Sequence, residues 1–435
     1  MTRRVPWLVV LLAALIWAVP VQLGWYGDLV AVDVSGARGI TDIPSYRDAG
    51  QAIVDGRVPY RDFSLEYPPL AAALFALAAV VPGSYEATFS MLMFACLVAT
   101  ALAALAIARA LDFGVWRQAL AGGAVAISPL FLGTLVQTRF DLLLAALLAW
   151  MVWAMIVGRW RLAWTLFAAA TLTKLVPLLL APLLVIFQRH RTDGARAIAG
   201  LAGGLAAVAA VIAPFAIMSP SGTWDLFEYH LDRPLQIESV GAAYMMVLDA
   251  LADIGLHVET AFGSQGLIGD GPDAIAAISS AVLAVLVAAI AVTAARGLRR
   301  ARPPGDARLF VAAAAATVAA TLAGGKVLSP QFLIWLLPLG FLVAGRYGPA
   351  AFGVTAAALA VTGAYFPQRY WDLVDLQALP IALLVLRDAL VVGLVAACWP
   401  RPHLALGEEG PALALRPARR VGQAARAVAA RYLTD

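Results

Sequence analysis

The sequence predicts an all-α, polytopic integral membrane protein, and three observations carry that prediction. Of its 435 residues, 62% are hydrophobic and 13% charged, with a mean hydropathy of +0.84, against about 25% charge in a soluble domain. Apolar runs of the roughly 20 residues that cross a bilayer recur from Val5 to Val395, with no stretch left over for a separate soluble domain. Arginines collect between those runs, at Arg3 and Arg4, Arg109 and Arg117, Arg159 and Arg161, Arg189 to Arg196, Arg296 to Arg308, Arg346, and from Arg401 onward, and the positive-inside rule assigns these to the cytoplasm.

The elements follow in order. Residues 7–25 form the first span; no small-residue cleavage site ends it, so an uncleaved helix is expected. Residues 26–67 are a first outer loop, with a short helix from Ser45 to Asp55 whose Asp48 and Asp55 fall on one wetted face. The run 68–82 is too short to span and is read as half-inserted. Further spans lie near 85–108, 118–136, 141–157, 197–218, 275–296, 308–323, 328–345, 349–366 and 378–399. The run 162–187 has arginines at both ends and Lys174-Leu175-Val176-Pro177 at its centre, and divides into two short crossings that meet near the outer face. Residues 219–272 form a second outer loop in which 240–256 does not cross. The total is about 12 crossings within one domain, residues 1–400, and a cytoplasmic basic tail, 401–435. From Arg416 to Leu433 the tail reads either as an amphipathic helix on the anionic inner leaflet or as a disordered basic segment. Cys96 and Cys398 sit inside apolar runs, which argues against a disulfide, a zinc ligand or a redox pair.

Chemistry-bearing residues concentrate on the outer side. The first outer loop carries Asp42-x-x-x-Tyr46, then Gly56-x-x-x-Tyr60, then Glu66-Tyr67-Pro68-Pro69. There are two lysines, Lys174 and Lys326, against 29 arginines. Both stand apart from the cytoplasmic clusters, and an ionisable group at membrane depth is costly enough to suggest a function. Snorkelling to the interface is the plainer alternative for each. Gln137-Thr138-Arg139-Phe140-Asp141 places an arginine and an acid at an outer boundary, where Asp141 could equally just begin a helix. The second outer loop holds His230-Leu231-Asp232-Arg233-Pro234-Leu235-Gln236-Ile237-Glu238-Ser239, and Leu328-Ser329-Pro330-Gln331 follows Lys326. No phosphate-cradling Gly loop, nucleotide fold or Asp-x-Asp metal motif appears.

These motifs, in this order, resemble the GT-C glycosyltransferases, and more narrowly glycosyltransferase family 87, the actinobacterial polyprenyl-phosphate-mannose-dependent mannosyltransferases. The resemblance implies a GT-C fold and an inverting transfer of mannose from a polyprenyl-phosphate donor to a cell-envelope glycolipid or glycan, at the outer face of the plasma membrane. It implies Asp42 as the base for the acceptor hydroxyl, with Asp48, Asp55, Asp62 and Glu66 as competitors. It implies Arg139, Lys174, His230, Arg233 and Lys326 as ligands of the donor phosphate. Tyr46, Glu66, Tyr67, Asp141, Gln236, Glu238 and Gln331 are then expected around the sugar or acceptor. No metal, cofactor or nucleic acid is required. Trp224, Tyr244, Trp335, Tyr365, Tyr370 and Trp371 are expected mainly as interfacial aromatics. The rival class is a lipid or glycan transporter, which shares buried cations and broken helices but predicts a repeat between the two halves. The two large outer loops share no motif order.

Overall fold

The computed structural model describes residues 5–22, 40–401 and 404, so the end of the first span, the stretch 26–39 of the first outer loop and the tail helix expected from Arg416 to Leu433 lie outside the described residues. The protein is largely helical, and seven described helices are long and apolar enough to cross a membrane: Tyr85–Ala110, Val115–Leu132, Gly194–Met218, Pro272–Leu298, Gly305–Gly324, Gly348–Tyr365 and Ala378–Ala397. Five shorter apolar segments accompany them, Val5–Trp17, Pro69–Val80, Asp141–Ile156, Val240–Ala252 and Pro330–Gly340.

Burial sorts these helices into layers. Gly305–Gly324 is 89% buried over its apolar window, whereas Gly194–Met218 and Pro272–Leu298 are 6% buried. The first is the central post, rich in alanine, which lets neighbouring backbones approach closely. The other two present apolar side chains such as Val285 and Ile217 outward, as a lipid-facing surface requires. Small residues mark the tight crossings: a Cβ added at Gly340 would meet the Thr355 side chain, and one at Gly363 would collide with the Phe131 carbonyl.

Three local breaks shape the bundle. The predicted span 118–136 is interrupted, as Val115–Ala126, Pro129–Leu132 and Leu135–Thr138. Pro129 removes a backbone donor there, and Gly133 turns with a φ of +56°. The expected crossing 328–345 is a 3-10 helix, Pro330–Leu336, continued by one turn, Leu337–Gly340, with prolines at 330 and 338. The run 162–187 divides as the sequence suggests, into Trp160–Thr171 and Ala181–Arg191 around the 3-10 segment Val176–Leu180. The helix Pro69–Val80 has 12 residues, about 18 Å, and is too short to span by itself.

One expectation is corrected. The fold is not wholly α, because the second outer loop contains an antiparallel hairpin, His257–Ala261 with Ser264–Ile268. Phe262 and Gly263 both have positive φ, the geometry of a two-residue hairpin turn. The hairpin also pairs beyond itself: Leu267 N donates to Leu235 O at 2.8 Å and Ile237 N to Gln265 O at 3.1 Å. It thereby holds residues 235–237 as an extended strip.

Candidate active site

At the end of the bundle away from the arginine clusters lies a cavity of about 1450 Å³. Asp42, Tyr46, Glu66, Tyr67, Arg139, Lys174, His230, Arg233, Gln236, Glu238, Lys326 and Gln331 all line it. Thirteen positions were expected at the site, and only Asp141 is set back from the wall.

Asp42 stands at the head of the helix Ile43–Val54, with Pro44 in its first turn. Its side chain makes no cap hydrogen bond to that helix. It turns instead into the cavity, accepting a hydrogen bond from the Tyr46 hydroxyl at 3.1 Å and pairing with Arg139 Nη1. Arg139 also donates through Nη2 to the Ile40 carbonyl, so one guanidinium fixes both the loop and its acid. Tyr46 is itself packed in place: it is 2% exposed and stacks on Phe75 at 4.4 Å between ring centres. Of the competing acids, Glu66 and the exposed Asp48 also line the cavity, while Asp55 and Asp62 are engaged away from it. Asp62 pairs with Arg61 and accepts from Val58 N, Asp55 accepts from Gln51, and the exposed Asp48 faces Arg47.

Lys174 occupies the break between the two short helices. Its ammonium lies 2.6 Å from Asp141 Oδ1 and within 4.6, 4.9 and 5.2 Å of the ring centres of Phe140, Phe332 and Trp335. Trp335 Nε1 donates to the same Asp141 oxygen at 2.7 Å. The cage satisfies a buried cation by a carboxylate and by ring faces. It also re-sorts the expected constellation: Asp141 serves Lys174 from behind, while Arg139, two residues away, serves Asp42.

The second outer loop closes the other side. Arg233 donates to Ser264 Oγ at 2.7 Å, and its buried Nε has no hydrogen-bond partner among the described residues. Arg139 Nε is in the same condition, so both guanidiniums keep donor capacity. Lys326 Nζ donates to the Leu231 carbonyl at 2.5 Å. Burial lowers its pKa, with Arg233 adding to the effect. Burial likewise lowers the pKa of His230, with Arg233 second, so this imidazole is neutral at pH 7. Burial pushes the Tyr67 phenol well above its ordinary value, and Glu66 reinforces the shift, leaving it a neutral donor. A Cβ at Gly263 would lie 3.6 Å from the Tyr229 hydroxyl and 3.8 Å from Glu66 Oε2, which seats the hairpin tip against that carboxylate.

Gln236 donates to Ser329 Oγ at 2.9 Å, and Gln236 N donates to the Lys326 carbonyl at 3.0 Å, joining the two motif segments. Glu238 is 1% exposed and accepts from the Tyr365 hydroxyl at 3.0 Å. Burial raises its pKa to about 7. Sequence reasoning missed what stands behind it. Arg387 and Asp388 are buried in the helix Ala378–Ala397, and Arg387 donates to the Glu238 carbonyl at 2.6 Å. The signal was present, since a charged dipeptide inside an apolar run is unusual. Tyr365, expected at the interface, is instead wholly buried, and Tyr370 and Trp335 line the cavity.

Fold and site together define a polytopic helical membrane protein with a cation-rich, carboxylate-bearing cavity at one end of its bundle. The chain belongs to glycosyltransferase family 87, whose profile matches residues 65–330, more than half of its length. The matched segment includes Glu66, Arg139, Lys174, His230, Arg233 and Lys326, while Asp42 precedes it. A search of curated proteins finds no match. The protein is accordingly a multi-pass membrane glycosyltransferase, acting on a sugar donor and an acceptor.

Proposed function

We propose that this glycosyltransferase moves mannose, with inversion, from a polyprenyl-phosphate donor to a cell-envelope glycolipid or glycan. The reading places a single GT-C transmembrane domain of twelve crossings in the plasma membrane, with the cavity on the extracytoplasmic side. The observation that carries it is the placement of Asp42 and five basic side chains, Arg139, Lys174, His230, Arg233 and Lys326, around one cavity.

A phosphate is already a good leaving group, so the protein must supply orientation, a base and charge stabilisation. Asp42 takes the proton of the acceptor hydroxyl. The hydroxyl oxygen attacks the anomeric carbon from the face opposite the phosphate, forming one C–O bond as the other breaks. The electron pair of the broken bond leaves with the polyprenyl phosphate, and a β-linked donor gives an α-mannoside. Arg139 and Arg233 meet the growing charge through guanidinium donors, and Lys174 and Lys326 meet it as compact ammonium groups. Gln236, Glu238, Glu66 and Gln331 contact sugar or acceptor hydroxyls.

The test is transfer of radiolabelled mannose from polyprenyl-phosphate mannose to an envelope-lipid acceptor by the purified protein, with glucose and arabinose donors in parallel. Mannose transfer by the natural sequence, lost in Asp42→Asn while donor binding persists, is expected. Undiminished turnover by Asp42→Asn removes Asp42 as the base, and transfer only from another donor removes mannose.

A further inference from the structure

The helix Ala378–Ala397 carries two adjacent charges near its midpoint, with Arg387 at 0% and Asp388 at 3% exposure. Charge at this depth is costly and persists where it is paired and used. Arg387 Nε lies 2.6 Å from Asp388 Oδ1, so the two largely neutralise each other. A self-contained pair gives no reason for its location, because apolar residues of similar volume stabilise a buried site equally well or better.

Backbone accounting supplies the reason. In the strip formed by residues 235–238, Leu235 O accepts from Leu267 N, Gln236 N donates to Lys326 O, and Ile237 N donates to Gln265 O. Past Ile237 the hairpin no longer supplies partners, and the Glu238 carbonyl accepts from Arg387 Nη2 at 2.6 Å. A buried carbonyl requires such a donor. The same arginine lies 5.7 Å from the ring centre of Tyr365, whose hydroxyl donates to the Glu238 carboxyl. Glu238 lines the cavity, and Arg387 and Asp388 do not.

We propose that Arg387, charge-balanced by Asp388, is a positioning residue that fixes the Gln236–Glu238 wall of the cavity from within the membrane-spanning helix and so presents Glu238 to the donor. The inference rests on the reading of Glu238 as a donor contact. Arg387 meets the donor only through the wall it holds.

The decisive variant is Arg387→Met combined with Asp388→Leu, which removes both charges and leaves neither unpaired. It is expected to fold and purify, to raise the KM for polyprenyl-phosphate mannose about tenfold, and to keep kcat within about threefold. Adding Glu238→Gln to it should raise KM no further, although Glu238→Gln alone raises it. A second variant, Arg387→Lys, keeps a cation beside Asp388 but lacks the fork that reaches both partners, and should raise KM by at least about threefold in a folded protein. Natural KM in either folded variant, or a full multiplicative effect of Glu238→Gln on top of the double change, overturns the proposal. Loss of transfer in Asp42→Asn, measured alongside, separates the outcomes. If the natural sequence transfers no mannose, the proposed function fails; if it does and the Arg387 variants match it, the positioning role alone fails.

Discussion

At the arginine-rich end of the bundle, Arg191 grips Asp306 through two nitrogens with His190 at 3.7 Å, Arg117 donates to the Val343 carbonyl, Arg308 to Leu111, and Arg401 to Ala396. At the opposite end, Arg139, Lys174, Arg233 and Lys326 surround a cavity, with one or two hydrogen-bond or ion-pair partners each and, on the two arginines, a buried guanidinium nitrogen to spare. The first set ties loops to helix ends, where a cation complements the C-terminal dipole or an exposed carbonyl. The second is spread over segments far apart in the chain and converges on space. Charge that closes a loop and charge proposed to meet an anion are told apart by what each side chain touches, since both sets are cationic and at least partly buried.

The largest effect that tests this contrast lies at Asp42. Removing a positioned base costs about 10²–10⁴-fold in turnover, and Asp42→Asn retains the hydrogen bond from Tyr46. Turnover should fall over that range in a protein that still folds and still binds the donor. Arg191→Ala addresses the other end and should do the reverse. Asp306 is wholly buried, and losing its bidentate partner is expected to cost about 3 kcal/mol of stability. Thermal unfolding in detergent reads that loss, and the donor KM should stay at its natural value. A rise in KM in Arg191→Ala would mean that the two ends are coupled and the contrast is false.

Smaller is the effect of Arg233→Gln, which keeps a donor toward Ser264 and removes the charge. A charge-assisted hydrogen bond contributes about 1.5–3 kcal/mol, so the donor KM should rise about tenfold or more. If Arg233 served only to hold the hairpin through Ser264, the variant would lose stability and keep its KM.

The same contrast explains what was legible in the sequence. The arginine clusters between the spans were plain in the sequence, and the two lysines were conspicuous because every other long cation is arginine. Twelve of the thirteen expected site residues line the cavity, because they were drawn from polar segments that stand apart from the arginine clusters between the spans. Pairing was not legible. Arg139 and Asp141 are two apart and looked like one constellation, yet Arg139 reaches back to Asp42 and Asp141 forward to Lys174 and Trp335. Such choices depend on how the helix breaks at Gly133 and Lys174 turn the chain. The hairpin at 257–268 was hidden by short strands, and Arg387 and Asp388 were hidden by averaging over an apolar run.

The smallest effect is a pH dependence at His230, in the last turn of the helix Pro220–Asp232. Burial, and then Arg233, depress its pKa below the ordinary value near 6.5. The unfolded chain therefore takes up this proton first as pH falls. The contribution to stability is complete above about pH 6.5 and declines as pH drops through that value toward the folded pKa. Donor binding runs the other way: the phosphodiester stays anionic throughout, favours the protonated ring, and should bind a few-fold more tightly on acidification from about pH 7.5 to 5.5. His230→Asn should flatten both trends, read as Tm and as donor KM across that range. If KM follows pH identically in the variant, the titrating group lies elsewhere in the cavity. Glu238, raised to about 7 by burial, is then the next to change, because its protonation also removes a negative charge from the donor's surroundings.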